Sequence, residues 1–593
     1  MLVVTLDHFK RAIADIAAHG DNDTLPFDID NRFISDCKEE LAGIGFRYFT
    51  EISNSGKKFA KNAINSLAIF SERLLVPAGV SGFRITTKIH PFWNIYFNAL
   101  GVAIAEKLEP SRSERTHSYR YISVGEFLFD RNASWRAFRE ASIVDCERQL
   151  ASAVVVQTDI SSFYEHVYHH RIENLIDDLF GEGSTLSAQI DRFLNKFSSG
   201  RSFGLPVGGQ CARILAELLM TSIDRRLAEA KIIWRRYVDD FVLIMPSQAE
   251  AYRGLAILSH ALADYGLALN RTKTVILNSS HYIDYARAQL SGAPEADKLS
   301  EIDLRFDPYS DNPEAEYEQL KSVVESLDIR ALLNTEIRKA QPDTFLVTQI
   351  GRTLKLHSPQ DALQLCMTLL SPGNLHAFRA SWSTVMRGVA AVCADARFSD
   401  IFRTLDAILD GIPVHSAHLL QAEVSCLHYL RTIRFRRTQK RAEYVFQVYS
   451  TASSQIVRRA CLDCWRSWKD RTSFVRERNR WDTLKSEEQR MLWTAAAEFG
   501  DEGVKFRSQV RQSPSQLLET RYRTQQRPHL RISLQRMVEQ WSLNGFLQTI
   551  QGQSLGISQG CWMYFFLILY LALSRTLIVR AFSYATASLS RSN

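Results

Sequence analysis

Two adjacent carboxylates interrupt an apolar stretch of the sequence. Asp239 and Asp240 stand inside "IIWRRYVDDFVLIM" (232–245), whose β-branched and aromatic residues predict two strands joined by a turn. Neighbouring carboxylates in such a setting repel each other and lose hydration, so both stay ionised only beside a compensating cation. Carboxylate oxygens are hard ligands that suit a divalent metal ion. The stretch therefore predicts a metal site.

A third carboxylate follows a strand of its own. Asp159 ends "VVVQTD", and a strand that ends in Asp can meet an Asp-bearing hairpin at one edge of one sheet. Three acids gathered in this way predict two Mg²⁺ ions, with Mn²⁺ as a possible substitute, about 4 Å apart. One ion would activate a 3′-hydroxyl and the other would stabilise a leaving pyrophosphate. The alternative is three unrelated, solvated aspartates near strand ends.

The elements that must position these acids predict an α+β fold. Residues 151–300 have the order strand, helix, helix, hairpin, helix, strand, which indicates an α+β unit with one mixed sheet. Residues 1–150 are mainly helical in pattern, and a Pro-, Asp- and Ser-rich linker covers 301–318. Residues 319–560 alternate short amphipathic helices with brief breaks. This all-α part is either a helical-repeat (HEAT-like) domain or a non-repeating helical domain.

Four segments in this order resemble the reverse transcriptase family. "YVDD" (237–240) resembles the catalytic box of that family, and "TDISSFYEHV" resembles the palm segment that carries its first metal-binding Asp. "GLPVGG" is similar to the loop between them, and "GLALNRTKT" is similar to the segment that follows. A lone Asp-Asp pair would be a weak signal, whereas four segments in order are a strong one. The resemblance implies fingers and palm in the N-terminal half and binding of dNTPs.

The resemblance also implies roles for single residues. Asp159, Asp239 and Asp240 would be the metal carboxylates and the catalytic residues. Tyr164 would place a flat ring under the incoming sugar and exclude a 2′-hydroxyl, although Tyr164 or its neighbour Phe163 could instead be core. The other implied nucleotide-binding residues are Pro206, Gly208, Gln210, Arg213, Tyr237 and Lys273. For Lys273 the alternative is a solvated turn, and for Gln210 and Arg213 it is bracing of a helix.

A narrower resemblance is to bacterial reverse transcriptases of the abortive-infection and antiphage-defence group. Val207 stands in "LPVG" where many family members have Gln, and "KIHPFWNIYFNAL" and the long helical C-terminal half agree with the narrower group. No maturase-like or endonuclease segment is evident. The group implies phage resistance through DNA synthesis, sometimes protein-primed and sometimes without an ordinary template. The alternatives are therefore a template-independent or protein-primed nucleotidyl transferase, and a nucleic-acid-binding scaffold with a vestigial palm.

Basic residues indicate a nucleic-acid partner. "HYLRTIRFRRTQKRAEY" (428–444) concentrates cations that could contact the phosphates of an RNA template, a DNA product or a noncoding RNA. The alternative is a solvated helix face. Arg115 and Arg120 precede the palm and could reach a triphosphate. The candidate nucleic-acid-binding residues of the basic segment are Arg431, Arg434, Arg436, Arg437 and Lys440.

Composition sets the remaining bounds. The chain has 593 residues and a formal net charge of +7, and its length predicts several domains. Its nine cysteines are scattered, which predicts a reducing cytoplasm. The segment 561–593 opens with 13 apolar residues, "CWMYFFLILYLAL", whereas a membrane-spanning helix needs about 20. A buried terminal helix is therefore favoured over a membrane-associated tail. The helical domain could also join copies of the chain into a homo-oligomer.

Overall fold

A computed structural model describes residues 3–22, 24–26, 28–79, 82–125, 127–150, 152–290, 299, 320–339 and 342–510. The predicted linker at 301–318 and the apolar segment 561–593 lie outside these residues, as does the end of the predicted helical domain. Within the described part, no helix combines the length and the apolar character needed to cross a bilayer.

The N-terminal half combines helices with a small antiparallel hairpin. Strands β1 (Ser71–Ala78) and β2 (Gly82–Ile89) pair from Ser71–Ile89 to Ala78–Gly82. The sequence analysis did not foresee this hairpin, because Pro77 and the flanking glycines weaken the strand pattern. The helices before the central sheet are α1 (Leu6–His19), α2 (Asp28–Asp36), α3 (Lys38–Asn54), α4 (Lys57–Ser66), α5 (Pro91–Leu108) and α6 (Trp135–Glu147).

The central sheet has four strands in the order β4-β5-β3-β6. Its strands are β3 (Val154–Thr158), β4 (Ile233–Tyr237), β5 (Asp240–Met245) and β6 (Val275–Asn278). All three neighbouring pairs are antiparallel, so the expectation of a mixed sheet is wrong. Strand β3 lies in the middle, where Val155 and Val156 are fully buried.

Helices connect and cover these strands. They are α7 (Phe163–His166), α8 (His169–Phe180), α9 (Thr185–Phe197), α10 (Gln210–Glu229), α11 (Gln248–Ala263) and α12 (Ser279–Leu290). Helices α5 and α10 cross closely at Gly101, where an added Cβ would lie 2.9 Å from the Cα of Cys211. A side chain at this position would push the two helices apart, so the glycine sets the distance between them.

The described C-terminal half is helical. Its helices are α13 (Ile329–Ile337), α14 (Thr344–Thr353), α15 (Pro359–Leu369), α16 (Pro372–Ala377), α17 (Trp382–Ala394), α18 (Phe402–His415), α19 (Glu423–Ile433), α20 (Gln439–Thr451), α21 (Gln455–Ser467), α22 (Arg471–Arg478), α23 (Ser486–Ala495) and α24 (Gly500–Gln509). One apolar core runs through them, with Trp382 donating its indole N–H to the carbonyl of Ser425 at 3.0 Å. The expected α+β class with a helical second half is confirmed.

A buried set of charges joins the two halves, and we call it the interhalf cluster. Lys88 of β2 donates to Asp30 at 2.8 Å, and Asp30 also accepts from Arg459 of α21 at 2.8 Å and Arg490 of α23 at 3.0 Å. No side chain in the cluster is more than 2% exposed. Its members are Asp21, Asp30, Lys88, Arg459, Glu487 and Arg490. Three acids therefore face three bases.

Candidate active site

The sheet brings the three predicted acids to one edge. Thr158, the last residue of β3, pairs with Phe241 of β5, so Asp159 leaves β3 beside the point where β5 begins. Tyr237 pairs with Asp240, which leaves Val238 and Asp239 as a two-residue turn between β4 and β5. We call Asp159, Asp239 and Asp240 the acid cluster.

The electrostatics of the acid cluster show that its members act on one another. Burial raises the pKa of Asp239 to about 6, and the negative charges of Asp240 and Asp159 add to this effect. Burial and Asp159 also raise the pKa of Asp240, while Lys273 and Arg139 oppose the rise. Both shifts mean that the ionised forms carry more negative charge than the surrounding protein compensates.

Lys273, which the resemblance gave as a nucleotide-binding residue, lies at the acid cluster. Its ammonium donates to Asp159 Oδ2, and this hydrogen bond raises the pKa of Lys273. The backbone N–H of Asn270 donates to the carbonyl of Asp159 at 2.7 Å, and the hydroxyls of Thr158 and Thr274 are 2.7 Å apart. The segment after α11 is thus anchored to the end of β3, which keeps the lysine beside the acids.

The two aromatic candidates separate clearly. Phe163 is 3% exposed and belongs to the core, whereas Tyr164 is half-buried. Burial raises the pKa of Tyr164 well above its ordinary value, and the nearby charge of Asp239 contributes in the same direction. The carbonyl of Tyr164 accepts from the N–H of Leu205 at 2.8 Å, which fixes the short helix α7 against the next loop.

The loop that contains Pro206 and Gly208 is held from two sides. The carbonyl of Val207 accepts from the N–H of Thr87 in β2 at 2.9 Å. Gly208 has φ +124°, and a Cβ there would lie 2.1 Å from Nδ2 of Asn22. Only glycine suits both the conformation and this close approach. Pro206, within this loop, is buried.

Gln210, Arg213 and Tyr237 lie next to one another near the start of α10. Gln210 donates to Asp15 Oδ2 at 2.9 Å and accepts from Arg213 at 2.8 Å. The Arg213 guanidinium lies 5.2 Å from the ring centre of Tyr119. Burial raises the pKa of Tyr237, and the charge of Arg213 opposes that rise. Gln210 therefore braces the helix, and Arg213 faces the tyrosines of the site.

The structure does not bring Arg115 and Arg120 to the acid cluster. Arg115 donates to the carbonyl of Trp234 at 3.2 Å, and Arg120 donates to Glu109 Oε1 at 2.5 Å and to the carbonyl of Ser113 at 2.6 Å. These contacts hold their own loop and its neighbour β4. Their assignment to a triphosphate stays a prediction.

Two of the five candidates in the basic segment form ion pairs. Arg434 pairs with Asp463 at 2.7 Å, and Arg436 pairs with Asp406 at 2.8 Å. Arg431 is half-buried, whereas Arg437 and Lys440 are exposed. The structure therefore leaves two of the five candidates fully presented to solvent, and nucleic-acid binding by any of them stays a prediction.

The sequence analysis missed the residues that support the turn beneath Asp239. Arg236 is fully buried between Glu217 and Asp224 of α10. The available signal was the spacing of Glu217 and Asp224, which lie seven residues apart and therefore share one face of the helix. A buried acidic pair of this kind requires a cation partner.

Within the described residues, no three His, Cys, Asp or Glu side chains are arranged as a ready metal-binding group. The donor set of the acid cluster nevertheless fits a divalent cation, because it consists of hard carboxylate oxygens, and burial together with mutual repulsion raises the pKa of Asp239 and Asp240. A bound cation would relieve that repulsion. Asp159, Asp239 and Asp240 are the residues that would hold it.

Part of the chain matches a known protein family. Residues 92–290 match the family model described as reverse transcriptase (RNA-dependent DNA polymerase). No curated protein sequence matches the chain significantly.

Similar solved structures include telomerase from Candida albicans in complex with the TWJ fragment of telomeric RNA. The two chains are 13% identical, the match covers 60% of this chain and 68% of that chain, and the TM-score is 0.29. Apo telomerase from Candida tropicalis follows at 11% identity, with 65% and 74% covered and a TM-score of 0.28.

Proposed function

We propose that this chain synthesises DNA on an RNA template by two-metal transfer of dNTPs. The premise is that residues 92–290 are a reverse transcriptase domain and that the chain is a nucleotidyltransferase enzyme. The observation that carries the proposal is the meeting of Asp159, Asp239 and Asp240 at one sheet edge with a raised pKa for Asp239. Such an excess of negative charge suits a site that binds magnesium together with a triphosphate.

The three carboxylates would hold the cations on the edge of the sheet. Divalent cations bound there would lower the pKa of a primer 3′-hydroxyl and stabilise the charge of the leaving pyrophosphate. Lys273 donates to Asp159, and its ammonium is close enough to the acids to offset phosphate charge or to give a proton to pyrophosphate. Tyr164 would present its ring to the sugar of the incoming nucleotide and disfavour ribonucleotides.

Single-residue variants test the chemistry. Asp239→Asn and Asp240→Asn should each reduce dNTP incorporation on the order of 10²–10³-fold, since each removes charge that the transition state needs. Asp284→Asn is the matched control, because Asp284 is exposed on α12. The assay uses purified protein with labelled dNTPs, both on a primed RNA homopolymer and without added template. Full incorporation by well-folded Asp239→Asn protein would contradict the mechanism.

Sequencing of the products separates templated synthesis from the alternative activity. DNA complementary to the supplied RNA supports the RNA-directed polymerase. Random or homopolymeric DNA, or DNA that stays attached to protein after denaturation, supports a template-independent or protein-primed transferase on the same palm. The same sequencing applied to nucleic acid that copurifies with the chain reports whether a noncoding RNA is a partner.

The biological role that we propose is phage defence by abortive infection in bacteria. It is supported by the sequence resemblance in the "LPVG" loop and in the segments that flank the palm. Cells that express the chain should resist phage, and cells that express Asp239→Asn should not. Protection by the inactive variant would instead favour a nucleic-acid-binding scaffold. Size-exclusion chromatography with light scattering tests the proposed homo-oligomer.

A further inference from the structure

The turn between β4 and β5 carries an unfavourable backbone conformation. Val238 has φ +56°, in the left-handed region, and it is the first of the two residues that connect Tyr237 to Asp240. A β-branched residue is a true outlier in this region, and hairpins that require a positive φ at the first turn position favour glycine. Surrounding contacts must therefore hold Val238 in place.

Both polar groups of the Val238 residue have a buried partner. Its N–H donates to the hydroxyl of Ser118 at 3.0 Å, and its carbonyl accepts from Nη1 of Arg236 at 2.8 Å. Ser118 is 1% exposed and Arg236 is 0% exposed, so water does not compete for either bond. The N–H and the carbonyl of Val238 are thus each held by a different buried side chain.

Arg236 is itself fixed by two carboxylates of α10. It donates to Asp224 at 2.9 and 2.7 Å and to Glu217 at 3.2 and 2.9 Å. Glu217 also accepts from the hydroxyl of Ser118 at 2.6 Å and from Arg112 at 2.7 Å. Burial alone would raise the pKa of Glu217, but Arg236 and Arg112 outweigh it and hold that pKa below its ordinary value.

The backbone of Arg236 is held as well. Its N–H donates to the carbonyl of Arg115 at 3.1 Å, and its carbonyl accepts from the N–H of His117 at 2.9 Å. The segment 112–118 therefore lies against the outer edge of β4 and delivers Ser118 to the turn. Helix α10, this segment and strand β4 converge on one peptide unit, two residues before Asp240.

We propose that Arg236 is a positioning residue for nucleotidyl transfer, which holds the left-handed Val238 peptide so that Asp239 and Asp240 are presented together at the sheet edge. Arg236 does not reach the acids' oxygens, and its effect passes through the backbone of the turn. This inference rests on the proposed function, and it assigns to the buried network a task beyond stability.

The decisive comparison uses a conservative variant and a backbone rescue. Arg236→Lys keeps the positive charge for Glu217 and Asp224 but loses the forked guanidinium that also reaches Val238. We expect about a tenfold fall in kcat and in affinity for Mn²⁺, with an unchanged KM for dNTP, because a lost buried hydrogen bond corresponds to about this factor. Adding Val238→Gly to this variant should restore both values to within about threefold, since glycine adopts the turn without support.

Arg235→Lys is the matched control. Arg235 is the neighbouring arginine of the same strand, and it pairs with Asp145 at 2.7 Å rather than with the turn. Equal effects of Arg235→Lys and Arg236→Lys, or failure of Val238→Gly to rescue a folded Arg236→Lys protein, would overturn the proposal. If Arg236→Lys does not fold, Ser118→Ala with and without Val238→Gly decides by the same criteria.

Two readouts keep this inference separate from the proposed function. Mn²⁺ binding, measured by electron paramagnetic resonance, requires no template or primer and reports the acids directly. If the unaltered chain binds Mn²⁺ through the acid cluster but incorporates no dNTP, the proposed function fails while the Arg236 variants still test positioning. If Mn²⁺ affinity is the same in the chain with Arg236 and with Arg236→Lys, the positioning role fails on its own.

Discussion

Two clusters of buried or half-buried acids in this chain differ in how their charges are balanced. In the interhalf cluster, three acids face three bases and every side chain is paired. In the acid cluster, three acids face one lysine, Lys273, and a more remote Arg139. Burial would raise the pKa of Asp30, but Arg459, Arg490 and Lys88 outweigh it and hold that pKa well below its ordinary value. The pKa of Asp239 instead rises to about 6.

The difference separates a charge-balanced structural network from a group of acids whose negative charge a bound cation would balance. A balanced buried network contributes geometry, and it loses stability when either sign is removed. An unbalanced group of acids loses little or gains stability when one charge is removed, and it gains stability when a cation is added. The same kind of substitution in the two clusters should therefore have opposite effects on stability.

The largest effect is expected in the interhalf cluster. Asp30→Asn leaves Arg459, Arg490 and Lys88 without their shared carboxylate, so the unfolding free energy should fall by about 3–5 kcal/mol. Thermal and urea unfolding measure the change, with Asp284→Asn as the exposed control. A melting temperature equal to that of the control would show that the cluster is not needed for stability.

A smaller effect of opposite sign is expected in the acid cluster. Asp239→Asn removes one of three repelling charges, so the metal-free protein should gain stability on the order of 2 kcal/mol at pH 7.5. The same unfolding assays, run in a chelating buffer, measure the gain. Destabilisation comparable to that of Asp30→Asn would contradict the contrast between the clusters.

The pH dependence of stability should also differ in sign. The pKa of Asp239 rises from 3.8 to about 6 on folding, so the folded protein binds more protons than the unfolded chain between these values. The contribution of Asp239 to stability therefore falls as the pH rises from about 4 to about 6 in the metal-free protein. For Asp30, whose pKa is lowered, the contribution is present above the unfolded value and is lost as the pH falls.

Comparison of unfolding curves for the Asp239→Asn variant and the unaltered chain over this range isolates the Asp239 contribution. Mg²⁺ should cancel it above about pH 6, because the cation binds the ionised acids. A difference between the two proteins that does not vary with pH would contradict the shifted pKa.

The smallest effects are expected on the basic segment. Arg437→Ala and Lys440→Ala should change stability by less than about 0.5 kcal/mol, because both side chains are exposed. If they contact phosphates, each should reduce the salt dependence of nucleic-acid binding by about one unit of slope. Arg436→Ala, which breaks the pair with Asp406, should destabilise the fold instead. An unchanged salt slope in both exposed variants would remove them from the nucleic-acid surface.

A feature could be predicted from the sequence when the residues that form it are close together in the chain or mark themselves locally. The acid cluster was predictable because each acid follows or interrupts a short β-branched run, and such runs identify strand ends locally. The Arg236 network was harder, since it needs α10, segment 112–118 and β4 to meet. The interhalf cluster left no local signal, because its partners span residues 21 to 490 of the chain.

In the basic segment the sequence did not reveal the ion pairs that its arginines form. Arg434 and Arg436 belong to a dense run of cations that indicated a phosphate-binding face. The carboxylates that neutralise them, Asp463 and Asp406, lie about thirty residues away in neighbouring helices, so the run could not reveal them. A run of basic residues indicates an exposed basic surface only when any acidic partners would also be nearby in the sequence. The hairpin β1–β2 was missed for a simpler reason, because Pro77 masks its pattern.

The most direct test of the account is a Mn²⁺ titration in the presence of a dNTP, followed by electron paramagnetic resonance. The unaltered chain is predicted to bind Mn²⁺ with an affinity that falls below about pH 6, where Asp239 becomes protonated. Asp159→Asn, Asp239→Asn and Asp240→Asn should each weaken binding, and Asp284→Asn should not. Equal Mn²⁺ affinity in all five proteins would contradict a metal site at this edge of the sheet.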